Sequence, residues 1–147
     1  MTSFLNVFRR TPKHDIEVRQ QFWPHHRRFL LLHEHGTASV DIYDNIQAFG
    51  GYAAIFNLYV DEKYRRNGIA TVLMNNAEWI VMQHNIDYVF LEVNTEYPNH
   101  EWVLKFYRDR RYMDVKDTLF NNRILLRKWT NLQAYKPKPK NVKYTNK

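Results

Sequence analysis

The sequence predicts one mixed α+β domain, of the α/β kind, built on a twisted sheet. Three observations predict it. Residues 53–60 (AAIFNLYV) are rich in β-branched and aromatic side chains and read as a strand. Ile69, Leu73, Ala77 and Ile80 recur at steps of three and four, the period of an amphipathic helix. Residues 87–94 (DYVFLEVN) alternate, with Val89, Leu91 and Val93 on one face and Tyr88, Phe90, Glu92 and Asn94 on the other. A strand, a crossover helix and a second strand make a βαβ unit with parallel neighbours.

Upstream of that unit, residues 15–22 read as a short helix, with Thr11 or Asp15 near its start and Pro24 as its stop. Trp23 to Arg28 (WPHHRR) is basic and aromatic, which suits either a nucleic-acid contact or a loop leading into a strand. Arg28 to His35 reads as a strand, Gly36-Thr37 as a turn and Ala38 to Tyr43 as the returning strand. Asp44 to Gln47 makes another turn, and Gly50-Gly51 loosens the chain before the strand that ends at Val60. His33 and His35 share a strand face, but two histidines without further ligands do not make a metal site, and none is expected.

Downstream, Asn85 is placed to stop the central helix in the left-handed conformation. Asn99 is placed to cap a helix running to about Arg110, with Glu101 in its first turn and Trp102, Val103, Phe106 and Tyr107 on its apolar side. Tyr112 to Lys116 and Leu119 to Trp129 read as the last two strands, with Asn121-Asn122 as a turn or bulge. The expected domain is 1–135. Residues 136–147 (KPKPKNVKYTNK) hold five lysines and no acid, and Pro137 and Pro139 oppose helix, so a basic, extended, mobile tail is expected.

The stretch joining the central strand to its helix carries the chemistry. Asp61 to Asn67 is a charged loop, and Arg65 and Arg66 stand just before Gly68. The first amides of a helix lack internal partners and, with the helix dipole, attract anions. Gly68 lets a phosphate approach the backbone, Ala70 is nearly as small, and the arginines add forked donors. The same residues also suit an ordinary β–α turn with a solvated loop. Neither a Walker A nor a Rossmann glycine pattern is present.

Arg65-Arg66-Asn67-Gly68-Ile69-Ala70 resembles the Arg/Gln-x-x-Gly-x-Gly/Ala signature of the GCN5-related N-acetyltransferases, the GNAT superfamily. Leu58-Tyr59-Val60 is similar to the Leu-x-Val closing that family's fourth strand. The resemblance is specific over residues 53–112 and rests on element order over 28–52 and 113–129. It implies a mixed, mostly antiparallel twisted sheet flanked by helices, with parallel strands 4 and 5 splayed at one end. It further implies direct transfer of an acetyl group from acetyl-CoA to a primary amine in a ternary complex. The pyrophosphate would lie on the amides from Arg66 through Asn67, Gly68, Ile69 and Ala70 to Thr71. The pantetheine would pair with the backbone of Leu58, Tyr59 and Val60, and an amide near Tyr59 or Val60 would face the thioester oxygen.

The family's next helix usually reads Asn-x-x-Ala-x-x-Leu-Tyr-x-x-x-Gly-Phe. Tyr107 falls on its tyrosine, Phe106 on the leucine and Tyr112 on the phenylalanine. The resemblance makes Tyr107 the proton donor to the leaving thiolate and Glu92 the candidate base, with Asp61 and Glu62 as further candidates. Three positions depart: His100 stands at the asparagine, with the candidate cofactor contact Asn99 one residue early; Val103 replaces alanine; and Arg111 replaces glycine. Those departures motivate the alternative, an inactive GNAT-like module whose basic surface holds a protein or nucleic-acid partner.

Composition sets the remaining expectations. The chain has 147 residues, 44% hydrophobic and 16% aromatic, enough for a real core, and a homodimer surface is one use for the rings. It has no cysteine, hence no disulfide, thiol nucleophile or thiolate metal site. No apolar run reaches membrane-spanning length and no signal-peptide core is evident, so a cytoplasmic protein is expected. A net charge of +7 attracts polyanions and phosphorylated cofactors, but nucleic acid is not the expected partner.

Overall fold

Strand-like alternation recurs along the chain, and among the described residues the strands assemble into one sheet. The computed structural model describes residues 15–43, 51–115, 122–130 and 142–146. In chain order the elements are β1 (Ile16–Phe22), β2 (Arg27–His33), β3 (Gly36–Tyr43), β4 (Tyr52–Val60), a 3-10 turn (Glu62–Tyr64), α1 (Ile69–Gln83), β5 (Tyr88–Asn94), α2 (His100–Asp109), β6 (Met113–Asp114), β7 (Arg123–Trp129) and β8 (Val142–Asn146). The described strands form a single sheet in the order β6-β7-β5-β4-β3-β2-β1-β8. β4 and β5 run parallel, as do β1 and β8, and the other neighbours are antiparallel. This is the mixed, mostly antiparallel architecture expected, with helices against it.

One face of the sheet makes the core. Val18, Leu31, Val40, Ile55, Val89 and Leu91 are all buried there. Helix α1 lies across β2, β3 and β4 and buries the predicted stripe of Ile69, Leu73, Ala77 and Ile80. It ends at Gln83, and Asn85 takes the predicted left-handed conformation at φ 55°. Helix α2 rests on β5.

Four expectations are corrected. Residues 16–22 are a strand, not a helix: Ile16 and Val18 enter the core two apart while Glu17 and Arg19 pair at 2.8 Å on the other face, a period of two. The hairpin turns at Glu34 and His35, two residues before the expected Gly36-Thr37. Gly36 is already in β3, and its need for glycine has a different cause: a Cβ there would lie 2.7 Å from the Tyr59 carbonyl oxygen and 3.3 Å from Ile69 and Leu73. Of the described residues in the strand expected over Tyr112–Lys116, Met113–Asp114 pair as β6, and the Val115 amide donates to the Leu125 carbonyl at 2.9 Å.

The fourth correction concerns the basic tail. Its residues 142–146 form β8 and pair with Ile16–Gln20. Tyr144 brings its ring to 6.2 Å from Trp79 of α1, and the Thr145 hydroxyl donates to the Val18 carbonyl at 3.4 Å. The outer edge of β1 offers unpaired backbone groups, and Val-Lys-Tyr-Thr has the β propensity to take them. Pro137 and Pro139, like the expected turn at Asp44 to Gln47, fall outside the described residues.

Arg111, the departure from glycine after α2, adopts φ 75°, so the turn forms with a non-glycine residue in the left-handed region. Among the described residues no helix is long and apolar enough to cross a membrane. Two stability changes of opposite sign are expected. Gly36→Ala should lower unfolding free energy by about 1–3 kcal/mol, because its methyl overpacks a site walled by backbone. Arg111→Gly should raise it by up to about 1 kcal/mol by relieving the left-handed residue. Urea denaturation of the three proteins measures both.

Candidate active site

β4 and β5 pair only at Ala53–Val89 and Ala54–Phe90. Beyond that point β4 bulges: its register with β3 shifts between Thr37 and Ser39, and Asn57 takes φ 53°. A bulge bends a strand and increases its twist. The residues of β4 after Ala54 therefore keep β3 on one edge and have no ladder to β5 on the other. That is the predicted splay.

A cleft of about 350 Å³ opens beside this edge. One wall is the end of β4 with the loop and first turn that follow; the other is α2. The loop is fixed from several sides. The Asp61 amide donates to the His35 carbonyl at 2.8 Å, and Tyr64 stacks on the His35 ring at a centroid distance of 3.4 Å. Asn67 donates from Nδ2 to the carbonyls of Tyr64 and Arg65 at 3.0 and 3.3 Å. Arg65 Nε donates to the Val60 carbonyl at 3.0 Å, and its guanidinium lies 5.8 Å from the Tyr59 ring centroid.

Gly68 is the N-cap of α1, with φ 79° and nothing within 4 Å of where a Cβ would stand. The first helical bond runs from the Val72 amide to the Gly68 carbonyl at 3.0 Å, so the amides of Ile69, Ala70 and Thr71 precede the ladder. They are available to an anion in the cleft, and the adjacent arginines add positive charge.

The cleft brings together most of the residues singled out from sequence: Leu58, Tyr59, Val60, Arg65, Arg66, Gly68, Ile69, Ala70, Thr71, Asn99 and Tyr107 all line it. Asn67 is outside the lining, and its side chain braces the loop. Asn99 is the N-cap residue of α2, but its side chain makes no capping hydrogen bond. Glu92 also lies outside the lining: it is exposed on β5, with Arg123 Nη1 at 3.8 Å. Asp61 is half exposed at 3.8 Å from His35 Nδ1, and Glu62 is exposed.

Tyr64, Trp102, Val103 and Phe106 complete the lining and were not identified as site residues from sequence. Trp102 gave one available signal, a large ring beside the core stripe of α2. It is 55% exposed and stacks parallel to Phe106.

Tyr107 is the buried polar group of the cleft, 7% exposed. Burial pushes its phenol from the usual 10 up to about 12, with Arg110 pulling the other way. The phenol is therefore protonated at neutral pH. His33 and His35 pack 5.9 Å apart by ring centroids, and His33 Nδ1 accepts the His35 amide at 2.9 Å. Among the described residues no group of three or more potential ligands could hold a metal ion. The WPHHRR segment has structural partners: Trp23 stacks on His26, and Arg28 forks onto Asp41 at 2.7 and 2.9 Å.

An open strand edge beside a basic helix N-terminus, faced by a second helix carrying a buried phenol, is the layout of an acyltransferase domain. The chain belongs to the acetyltransferase (GNAT) family, whose model matches residues 2–111. Solved structures agree in fold. A GNAT-family acetyltransferase from Staphylococcus aureus Mu50 superposes with a TM-score of 0.55 at 17% identity, over 71% of this chain and 68% of that one. Arabidopsis thaliana Naa50, solved with the bisubstrate analogue CoA-Ac-MVNAL, gives 0.55 at 19% identity over 69% and 71%. Arabidopsis thaliana NAA60, solved with acetyl-CoA, gives 0.55 at 18% identity over 74% and 78%. No curated protein sequence matches the chain.

The raised phenol has a thermodynamic consequence. Over pH 10–12 the folded state keeps a proton on Tyr107 that the unfolded chain releases. The resulting stability is fully present below pH 10 and is lost as pH rises toward 12, up to about 3 kcal/mol for two pKa units. Denaturation midpoints at pH 9 and pH 11 should show a smaller decline in Tyr107→Phe than in the parent protein.

Proposed function

We infer that the protein is an acetyl-CoA-dependent N-acetyltransferase, moving an acetyl group to a primary amine by direct transfer in a ternary complex. The observation that carries this reading is the cleft itself, where the open edge of β4, the Gly68 turn and the Tyr107 phenol meet. The pyrophosphate would sit on the amides of Ile69, Ala70 and Thr71, with Arg66 beside it. The pantetheine would lie along Leu58 to Val60 as an added strand, beyond the bulge at Asn57.

The amine attacks the thioester carbon, the carbon–sulfur bond breaks and the electrons leave on sulfur. Tyr107 would protonate that thiolate. A backbone amide at the end of β4 would hold the oxyanion. The amine's proton needs another acceptor. Glu92 stays a candidate through water, since it shares the β5 face with Asn94 at the splayed end. No metal is called for. A cytoplasmic protein, acting on a small molecule or on a protein, is the working picture.

The alternative of an inactive binding module has one observation in its favour, the departures at His100 and Arg111. The Arg111 turn nevertheless forms, and His100 holds the start of α2 by its own route, with Nδ1 at 2.9 Å from the Tyr97 carbonyl oxygen.

Calorimetric titration with acetyl-CoA tests the reading. Micromolar binding is expected, and Gly68→Glu should abolish it by filling the anion site with a carboxylate. Loss of binding with retained fold in the parent protein would sink the enzyme reading. Tyr107→Phe should keep binding and slow turnover by roughly 100- to 10,000-fold when chemistry limits the rate. The amine panel should include the peptide MVNAL, the acceptor portion of the analogue on Naa50. Because the chain has no cysteine, thiol release reports CoA alone.

A further inference from the structure

The two walls of the cleft are joined behind it by a buried carboxylate. Glu78 of α1 is 3% exposed, on the side of the helix away from solvent. Three donors converge on it. Arg110, just past α2, reaches it with Nη2 at 2.8 Å and Nε at 3.4 Å. The Tyr112 hydroxyl donates to it at 2.9 Å, and Lys128 of β7 donates at 3.2 Å. Arg110 Nη2 also donates to the Asn75 side-chain oxygen at 2.7 Å. A carboxylate is taken out of water at this depth only if its lone pairs are filled and its charge is met, and here both conditions hold.

The cluster leads to the phenol. The Tyr112 ring meets the Tyr107 ring edge-to-face at 5.8 Å, and the Tyr112 amide donates to the Tyr107 carbonyl at 3.1 Å. The Arg110 guanidinium lies 6.0 Å from the centroid of Phe106, which lines the cleft. Lys128 Nζ stands over the Tyr112 ring, 5.4 Å from its centroid. Glu78 thus contacts Tyr112 and Arg110, and these contact Tyr107 and Phe106.

We propose that Glu78 is a positioning residue for Tyr107, holding the α2 wall in register with the α1 anion site. It touches neither the cofactor nor the acceptor. The proposal rests on the reading of Tyr107 as the proton donor. Loss of the carboxylate moves the phenol while leaving the first turn of α1, two and a half turns away, in place.

The test is a double-mutant cycle of Glu78→Gln and Tyr107→Phe. It is read as CoA thiol release from acetyl-CoA with the best amine of the panel, or with water as acceptor if none is better. Thermal melts establish folding, and calorimetry follows acetyl-CoA affinity. Glu78→Gln should bind acetyl-CoA within about threefold of the parent and release thiol about tenfold more slowly; in the Tyr107→Phe background it should change the rate no further. An unchanged rate in the single variant, or an equal tenfold loss in both backgrounds, overturns the proposal. A Tyr107→Phe protein with parental rate points to a different failure, that of the proton-donor reading itself. If Glu78→Gln does not fold, Tyr112→Phe enters the same cycle. It removes one hydrogen bond to the carboxylate and keeps the ring, with the same two outcomes deciding.

Discussion

The structure turns on how briefly β4 and β5 pair. Two residue pairs, Ala53–Val89 and Ala54–Phe90, hold the parallel strands together at one end. Then the bulge at Asn57 takes β4 away. A parallel pair left unzipped inside a sheet exposes backbone donors and acceptors that need partners. The fold tolerates this because the other edge of β4 pairs with β3 on both sides of the bulge, and because Gly36 lets the two strands close up under α1. The unpaired edge is thus a prepared opening, and the loop that follows β4 aims the helix N-terminus into it.

How legible this was differs along the chain. α1 was readable because its stripe, Ile69 to Ile80, repeats over about three turns with nothing competing. β5 was readable because its alternation is clean. The Gly68 turn was legible as chemistry because glycine, arginine and a helix start coincide within a few residues. β1 was misread: IEVRQQF has only two early apolar residues, and its long polar side chains suit helix as well as strand. Only the pairing of Glu17 with Leu32 and its neighbours across the hairpin decides the matter, and that contact is non-local. β8 failed for the same reason. A five-residue lysine-bearing segment cannot announce that an edge more than a hundred residues earlier is waiting for it.

Gly36 shows a subtler limit. The residue was correctly marked as special, yet for the wrong reason, since a turn glycine and a close-approach glycine look alike in sequence. The bulge at Asn57 left no mark either, because AAIFNLYV reads as one continuous strand. In the site, the Glu78 cluster was invisible. Glu78 falls between the stripe residues Ala77 and Ile80, where a solvated glutamate is the ordinary expectation. Its burial depends on Arg110, Tyr112 and Lys128 arriving from distant elements.

Burial of the phenol bears on the chemistry in a way that the residue's identity alone does not. With Tyr107 raised to about 12 and an ordinary thiol near 8.5, proton transfer to the thiolate is uphill by roughly 5 kcal/mol in an open cleft. The balance shifts when the thiolate forms in the same water-poor space, because desolvation raises its affinity for a proton as it raised the phenol's. On this reading the cofactor must seal the cleft before its own leaving group can be protonated. The pantetheine lying along β4 and the Trp102–Phe106 pair on α2 are what would exclude the water. With Tyr107 as the proposed proton donor, a rigid α2 would be part of the acid catalysis, since a phenol displaced by an ångström would leave the thiolate without its proton. The buried carboxylate behind that helix supplies the rigidity, at a point where water cannot compete for it.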